Sequence, residues 1–153
     1  MSIWWSLHLR REAASIPLAR RLLLGTMETA GVDPDISFDL SVALSEACAN
    51  AVEHGGGPGP GETPGAYRVT AYLDGEKCRI EVADSGPGFP ARQGRTRIRA
   101  RTQAPTTAES GRGLCLIEQL ADHVHFGNRP GRGAVVSFDK VLKWREGALL
   151  KVS

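Results

Sequence analysis

The chain has 153 residues, of which 41% are hydrophobic and 24% are charged. This size suits one globular domain over residues 1–153 and leaves no room for a second catalytic domain. The formal net charge of +2 favours neither direct nucleic-acid binding nor an acidic-ligand protein. No apolar run approaches the roughly 18 residues of a membrane span, so we expect a cytoplasmic protein that does not contact membrane.

The first third of the chain predicts one strand followed by two helices. Residues 5–9 alternate apolar and polar side chains, which is typical of a short strand with one buried face. Ser15 is the expected cap of a first helix that ends before Gly31. Asp33-Pro34 repeats this start signal, and the apolar stripe of the second helix continues until Gly55.

The rest of the chain predicts two hairpins with a third helix between them. Residues 55–65 are rich in glycine and proline and indicate a loop, whereas residues 67–82 alternate on both sides of an Asp-Gly turn and indicate a hairpin. Residues 85–108 contain several arginines and no acid between Ser85 and Ala108, which suggests a basic flap. A third helix is expected from about residue 113 to 121, and two closing strands within 124–138.

This order of elements predicts an α+β fold. The helices would lie together on one face of a mixed, mostly antiparallel sheet, which makes a two-layer sandwich. We expect the core to extend over about residues 3–139, with a short C-terminal tail at 140–153.

The second helix carries a polar stripe at a spacing of four residues. Glu46, Asn50 and His54 drift by about 40° per step, so the three side chains can face one site at the border of the apolar stripe. The Asn50 oxygen suits Mg²⁺ beside phosphates, and Glu46 can take a proton from an attacking hydroxyl or water. On spacing alone, a polar helix edge without chemistry is the preferred interpretation.

Asp84 directly follows an apolar strand and precedes Gly86 and Gly88. Such glycines let the backbone approach a flat ligand. A buried carboxylate accepts a hydrogen bond from an exocyclic amine such as that of adenine and disfavours the carbonyl of guanine. An ordinary Asp-Ser-Gly turn is the alternative interpretation.

Gly111, Arg112 and Gly113 are expected to open the third helix. Unpaired backbone N–H groups and the helix dipole favour phosphate at such a position, and Arg112 adds a positive charge. A simple junction between loop and helix is the alternative.

In their order along the chain, these three motifs resemble the nucleotide-binding boxes of the gyrase/histidine-kinase ATPase superfamily, whose domain has the Bergerat ATP-binding fold. Residues 44–55 are most similar to the anti-sigma-factor serine kinases. The resemblance implies ATP and Mg²⁺ as ligands. It implies these roles: Glu46 as general base, Asn50 as Mg²⁺ ligand, Asp84 as adenine reader, Gly86 and Gly88 as pocket-shaping residues, Gly111 and Gly113 as phosphate neighbours, and His54 and Arg112 as further nucleotide contacts.

The same resemblance implies a homodimer that binds a sigma factor and phosphorylates a serine or threonine of an anti-sigma-factor antagonist protein. The chain departs from the family pattern at two points. Glu109 occupies a position where an arginine often precedes Ser-Gly, and no threonine stands near Val135. A non-catalytic module that binds ATP or only a partner, and an ATP hydrolase acting on water, are therefore the alternatives to a kinase.

Overall fold

The structure is a computed structural model, and it describes residues 2–54, 65–84, 108–129 and 133–146; of residues 54, 108–113 and 129 it describes the backbone alone. Nearly all of the predicted loop and flap, and the turn at 130–132, lie outside these ranges. The helices and strands, in chain order, are β1 Ile3–Arg10, α1 Ser15–Ala30, α2 Pro34–His54, β2 Ala66–Leu73, β3 Lys77–Asp84, α3 Ala108–Leu120, β4 His123–Arg129 and β5 Gly133–Val141.

The five strands form one sheet in the order β1-β2-β3-β5-β4. Each pairing between neighbouring strands in the described residues is antiparallel. The three helices pack on this sheet, with α2 in contact with both other helices and with the strands β3 and β5. The predicted α+β fold with helices on one face is therefore confirmed.

The core lies between the helices and the inner face of the sheet. Along β3, the side chains of Cys78, Ile80 and Val82 are fully or almost fully buried, whereas Arg79 between them is exposed. This alternation defines the inner face because successive side chains of a strand point to opposite sides. Burying one large apolar side chain such as Ile80 stabilises the fold by about 1.5–3 kcal/mol.

The end of α1 and the start of α2 follow the predicted signals. Gly31 adopts a φ of 92°, and its N–H reaches the carbonyl groups of Met27 and Glu28 at the end of α1. At the start of α2, the Asp33 carboxylate accepts a hydrogen bond of 2.9 Å from the Asp35 amide.

The prediction that Ser15 caps α1 is wrong. Ala14 occupies the cap position without a side-chain hydrogen bond, and Ser15 is the first residue of the helix. The Ser15 hydroxyl instead donates to the carbonyl of Glu12 and contacts the hydroxyl of Tyr67. A tertiary contact has displaced the local capping interaction that the sequence pattern indicated.

The packed structure continues beyond residue 139, where we expected the core to end. Leu142 is buried in the core cluster. Val32 and Trp144 form an isolated antiparallel bridge, and the Trp144 indole N–H donates a hydrogen bond of 3.2 Å to the carbonyl of Gly75. This segment therefore joins the α1–α2 junction to the β2–β3 turn.

Among the described helices, none combines the length and apolar character that crossing a membrane requires.

Candidate active site

Residues 43–53 of α2 have a buried apolar face, which includes the fully buried Leu44, and a half-buried polar border. Ala43, Ala47 and Ala51 are almost inaccessible to solvent, and Glu46 and Asn50 are half-buried. At about 100° per residue, Asn50 comes next to this buried face and Glu46 follows it. Both polar groups thus stand at the edge of the helix layer, as the spacing predicted.

Asp84 is the last residue of β3, in the middle of the sheet, and is only 6% exposed. It follows Val82 by two residues, so its side chain points to the inner face beneath the helices. Its Oδ1 atom accepts a hydrogen bond of 3.3 Å from the backbone N–H of Ala134 on the neighbouring strand β5. A central strand therefore delivers a carboxylate to the helix side of the sheet.

The strand β2 links Asp84 to the helix that carries Glu46 and Asn50. Tyr67 is the register partner of Asp84, and two residues before it the carbonyl of Gly65 accepts a hydrogen bond from the backbone N–H of Arg11. The Arg11 guanidinium donates to the carbonyl of Ala51, which directly follows Asn50 on α2. The polar border of α2 and the buried carboxylate therefore occupy the same end of the two-layer sandwich.

Burial controls the ionisation of Cys48 and Tyr67 at this end of the fold. Burial raises the pKa of the Cys48 thiol to about 12, and the neighbouring Tyr67 hydroxyl lowers it by a smaller amount. Burial also raises the pKa of the Tyr67 hydroxyl well above its usual range. Both groups keep their protons at neutral pH and act as neutral hydrogen-bonding groups.

Arg11 holds the end of α2, a role that the sequence did not reveal. Its guanidinium group donates hydrogen bonds of 3.1 Å and 2.7 Å to the carbonyl groups of Ala51 and Val52. Its backbone N–H also reaches the carbonyl of Gly65 just before β2. A cation at the last turn of a helix satisfies free carbonyl groups and complements the helix dipole.

The remaining predicted site residues fall on less fully described positions. His54 ends α2, and only its backbone is described. Gly86 and Gly88 lie outside the described residues, as do the arginines of the predicted flap. Their expected roles stay predictions.

The predicted start of the third helix is wrong. The helix α3 begins at Ala108, so Gly111 and Gly113 lie inside its first turns instead of opening it. In a regular α-helix the N–H of Gly113 pairs with the carbonyl four residues earlier, whereas the first four N–H groups stay free. Glycine disfavours a helix interior by only about 1 kcal/mol, a cost that packing can offset.

The family pattern often has a threonine near Val135, and in this structure the residue of β5 that lies next to Asp84 is Ala134. Val136 and Phe138 belong to the core, so Val135 points to the opposite, outer face of the sheet. Ala134, whose N–H binds Asp84, is the residue of this strand on the site's side. The methyl group of Ala134 supplies no hydroxyl to supplement the Asp84 carboxylate.

Comparisons with known proteins agree with this arrangement. A family model described as the histidine kinase-like ATPase domain matches residues 9–140 of the chain. The serine-protein kinase RsbW of Bacillus pumilus is 32% identical over 130 residues, which cover 83% of this chain and 78% of the relative. The chain is thus homologous to RsbW serine-protein kinases over most of the length of both proteins.

Solved structures share the fold at lower identity. The RsbU and RsbW domains of Rv1364c from Mycobacterium tuberculosis give a TM-score of 0.61 at 21% identity, covering 91% of this chain and 33% of that one. The chain therefore spans about one third of that solved protein. The mycobacterial sensor histidine kinase MprB gives a TM-score of 0.56 at 16% identity, covering 94% of this chain and 100% of that one. The family match and the fold together show that the chain belongs to the histidine kinase-like ATPase domains.

Proposed function

We propose that this protein is an ATP-dependent serine/threonine protein kinase that binds a sigma factor and phosphorylates an antagonist protein of the anti-sigma system. The observation that carries the proposal is the half-buried Glu46 and Asn50 pair on α2, at the same end of the fold as the buried Asp84. The homology to proteins named serine-protein kinase RsbW supports a protein hydroxyl as the phosphate acceptor.

The chemistry of Asp84 supports adenine as the base. One carboxylate oxygen accepts from the Ala134 amide, which orients the group at the inner face of the sheet. A carboxylate accepts hydrogen bonds and cannot donate them, so it favours the exocyclic amine of adenine over the carbonyl of guanine. Gly86 and Gly88 follow directly in the chain and would let the backbone approach the ring.

The donor set on α2 fits a single Mg²⁺ ion held jointly with phosphates. The described residues contain no group of three acidic, histidine or cysteine side chains that would hold a metal by themselves. Mg²⁺ in nucleotide sites is commonly bound through one or two protein oxygens plus the substrate phosphates. Asn50 would supply that oxygen, and the ion would neutralise charge on the transferring phosphate.

Glu46 is the proposed general base. Its carboxylate takes the proton of a serine or threonine hydroxyl on the protein substrate while that oxygen bonds to the γ-phosphorus. The bond between the γ-phosphorus and the bridging oxygen breaks, and ADP leaves with the electron pair. Gly111 and Arg112 in the first turns of α3 would face the phosphates, with Gly111 among the first four residues, whose N–H groups a helix leaves free.

The proposed partners are a sigma factor, which the protein sequesters, and an antagonist protein, which it phosphorylates. The proposed active form of the kinase is a homodimer.

The test uses purified antagonist candidates from the same organism, ATP labelled at the γ-phosphate, and Mg²⁺. We expect label on one antagonist and none when its acceptor serine or threonine is replaced by alanine. Absence of label on every candidate, despite ATP binding, would contradict kinase activity.

The second candidate function is a non-catalytic regulatory module that binds ATP or only its partner. Glu109 favours it, because this acid stands in α3 where many relatives of the resembled family have an arginine beside the phosphates. Phosphate transfer distinguishes the two candidates. A non-catalytic module would bind the sigma factor with equal affinity in wild type and Glu46→Gln, and neither protein would transfer phosphate.

A further inference from the structure

Arg11 joins the end of α2 to the start of β2. Its guanidinium group donates hydrogen bonds of 3.1 Å and 2.7 Å to the carbonyl groups of Ala51 and Val52 in the last turn of α2. Its backbone N–H donates a hydrogen bond of 3.2 Å to the carbonyl of Gly65, one residue before β2. A single half-buried residue thus contacts both the helix and the sheet.

A hydrogen-bonded turn between β1 and α1 holds the backbone of Arg11. The N–H of Glu12 donates to the carbonyl of Arg10 at 2.8 Å, and the N–H of Ser15 donates to the carbonyl of Glu12 at 3.0 Å. The Ser15 hydroxyl also donates to the Glu12 carbonyl at 2.7 Å and contacts the Tyr67 hydroxyl on β2. Arg11 therefore extends from a turn that is tied to the sheet.

The last turn of α2 is the part of this helix that apolar packing holds least directly. Leu40 and Leu44 are at most 1% exposed and fix the middle of the helix. At the end, the last four carbonyl groups of a helix lack a helical partner, and helix ends open readily. Glycines follow α2 at positions 55–57 and disfavour a further helical turn. Arg11 supplies donors to two of these four carbonyl groups.

The position of Asn50 depends on this last turn. Asn50 immediately precedes the last four residues of α2, and in a regular helix its carbonyl accepts a hydrogen bond from the N–H of His54. Glu46 lies one turn further inside the helix. Asp84 ends the strand next to β2, at the same end of the sheet as the Arg11 contact. Arg11 therefore sets the position of Asn50 relative to Asp84.

We propose that Arg11 is a positioning residue that holds Asn50 in place for the binding of Mg²⁺-ATP. In the proposed function, Asp84 binds adenine and Asn50 binds the ion beside the phosphates, so one nucleotide spans both groups. Opening of the last turn lowers the apparent affinity for Mg²⁺-ATP by the fraction of molecules in which Asn50 is in place. This inference rests on the proposed function and assigns a role to a residue outside its nucleotide-binding motifs.

The test replaces Arg11 by methionine and measures ATP binding by calorimetry with and without Mg²⁺. The ratio of the two dissociation constants is the Mg²⁺ enhancement of ATP binding. We expect Arg11→Met to reduce this enhancement by about 3-fold or more and to leave ATP binding without Mg²⁺ within about 2-fold of wild type. A role in stability alone would change neither dissociation constant at a temperature where the protein is folded.

Two control variants separate positioning from charge and from stability. Arg10→Met removes the same charge from the adjacent residue, which is exposed. Leu73→Val trims a fully buried side chain about 20 Å along β2 from the end of the sheet that holds Asp84. Both controls should keep the wild-type Mg²⁺ enhancement. A reduction in either control equal to that in Arg11→Met would overturn the proposal.

A double variant tests whether Arg11 acts through Asn50. Asn50→Ala removes the oxygen that binds the ion, so adding Arg11→Met to it should not reduce the Mg²⁺ enhancement further. A further reduction in the double variant would show that Arg11 acts independently of Asn50 and would overturn the proposal.

Arg11→Lys replaces Arg11→Met in these comparisons if the methionine variant does not fold. Lysine keeps the positive charge but lacks the planar pair of donors, so we expect the same change to a smaller extent.

A measurement on the nucleotide-free protein separates this inference from the proposed function. Carbon-13 NMR shifts of the Cα atoms report helix content residue by residue. Those of residues 50–53 should move toward random-coil values in Arg11→Met and stay unchanged in both control variants. If wild type binds Mg²⁺-ATP but transfers no phosphate, the kinase proposal fails while both measurements still test Arg11. Unchanged Cα shifts in Arg11→Met would overturn the positioning role whatever the activity.

Discussion

The backbone N–H of Ala134 donates a hydrogen bond of 3.3 Å to Oδ1 of Asp84, across the neighbouring strands β5 and β3. This contact orients a buried carboxylate, since Asp84 is only 6% exposed. The Asp84 carboxylate therefore has two roles that mutations can test independently: it stabilises the fold through Ala134, and it is the proposed group that selects the base.

Asp84→Asn should alter base selectivity and leave the fold intact. The amide oxygen can still accept from Ala134, whereas the amide nitrogen now presents a donor toward the ligand. We expect the preference for ATP over GTP to fall by about 10-fold or more, because the site no longer rejects a carbonyl. Calorimetric titrations with both nucleotides measure the ratio, and an unchanged ratio would rule out adenine reading by Asp84.

Asp84→Ala should be less stable than Asp84→Asn. The alanine leaves the buried Ala134 N–H without its acceptor, which costs about 1–3 kcal/mol. Urea denaturation of the two variants compares their free energies of unfolding. Equal stabilities would show that the Ala134 hydrogen bond contributes nothing measurable.

Glu46 and Asn50 should separate catalysis from binding. Glu46→Gln removes the proposed base and should lower kcat by about 100-fold or more while the dissociation constant for Mg²⁺-ATP stays nearly constant. Asn50→Ala removes the metal-side oxygen and should weaken nucleotide binding only when Mg²⁺ is present. Glu76→Gln, an exposed change in the β2–β3 turn, is the control for loss of one negative charge. Equal transfer by wild type and Glu46→Gln would eliminate Glu46 as the base.

Arg11 should stabilise the fold through the end of α2. Arg11→Met removes the donors to the Ala51 and Val52 carbonyl groups and should lower the free energy of unfolding by about 1–3 kcal/mol. Arg10→Met is the matched control because Arg10 is exposed at the neighbouring position. Chemical denaturation measures both, and equal effects would show that the guanidinium contacts are not stabilising.

The buried thiols should make the protein less stable in alkali. Burial raises the pKa of Cys48 from its ordinary value of 9.0 to about 12, so folding favours the protonated thiol. Its contribution is complete below pH 9 and is lost as pH rises toward 12, because the unfolded chain releases the proton first. Cys48→Ala should flatten the fall in unfolding free energy between these pH values. If the unfolding free energy of wild type and Cys48→Ala fell equally steeply between these pH values, ionisation of the thiol would not be linked to folding.

Much of the site's location could be predicted because local rules agree with the tertiary structure there. The spacing of Glu46 and Asn50 predicted a shared border of α2, and the strand before Asp84 predicted a carboxylate at a strand end. These predictions need only helix and strand periodicity. Periodicity survives folding when the apolar face it defines is the face that becomes buried.

Other parts depend on contacts between distant residues, which local patterns do not encode. Ser15 resembles a helix cap, but Tyr67, 52 positions away, takes its hydroxyl as a partner. The end of α2 depends on Arg11. In the sequence, nothing local distinguishes Arg11 from the adjacent Arg10. At α3, helix interior positions tolerate glycines that usually mark a boundary. At each of these positions, tertiary packing outweighed a weak local preference.

The most direct test of the central claim is calorimetric titration of ATP and of GTP, each with and without Mg²⁺, into wild type, Asn50→Ala and Asp84→Asn. We predict saturable binding by wild type, weaker binding by Asn50→Ala that no longer responds to Mg²⁺, and binding by Asp84→Asn that no longer distinguishes ATP from GTP. Absence of binding by wild type, or identical binding by all three proteins, would contradict a nucleotide site built from α2 and the end of β3.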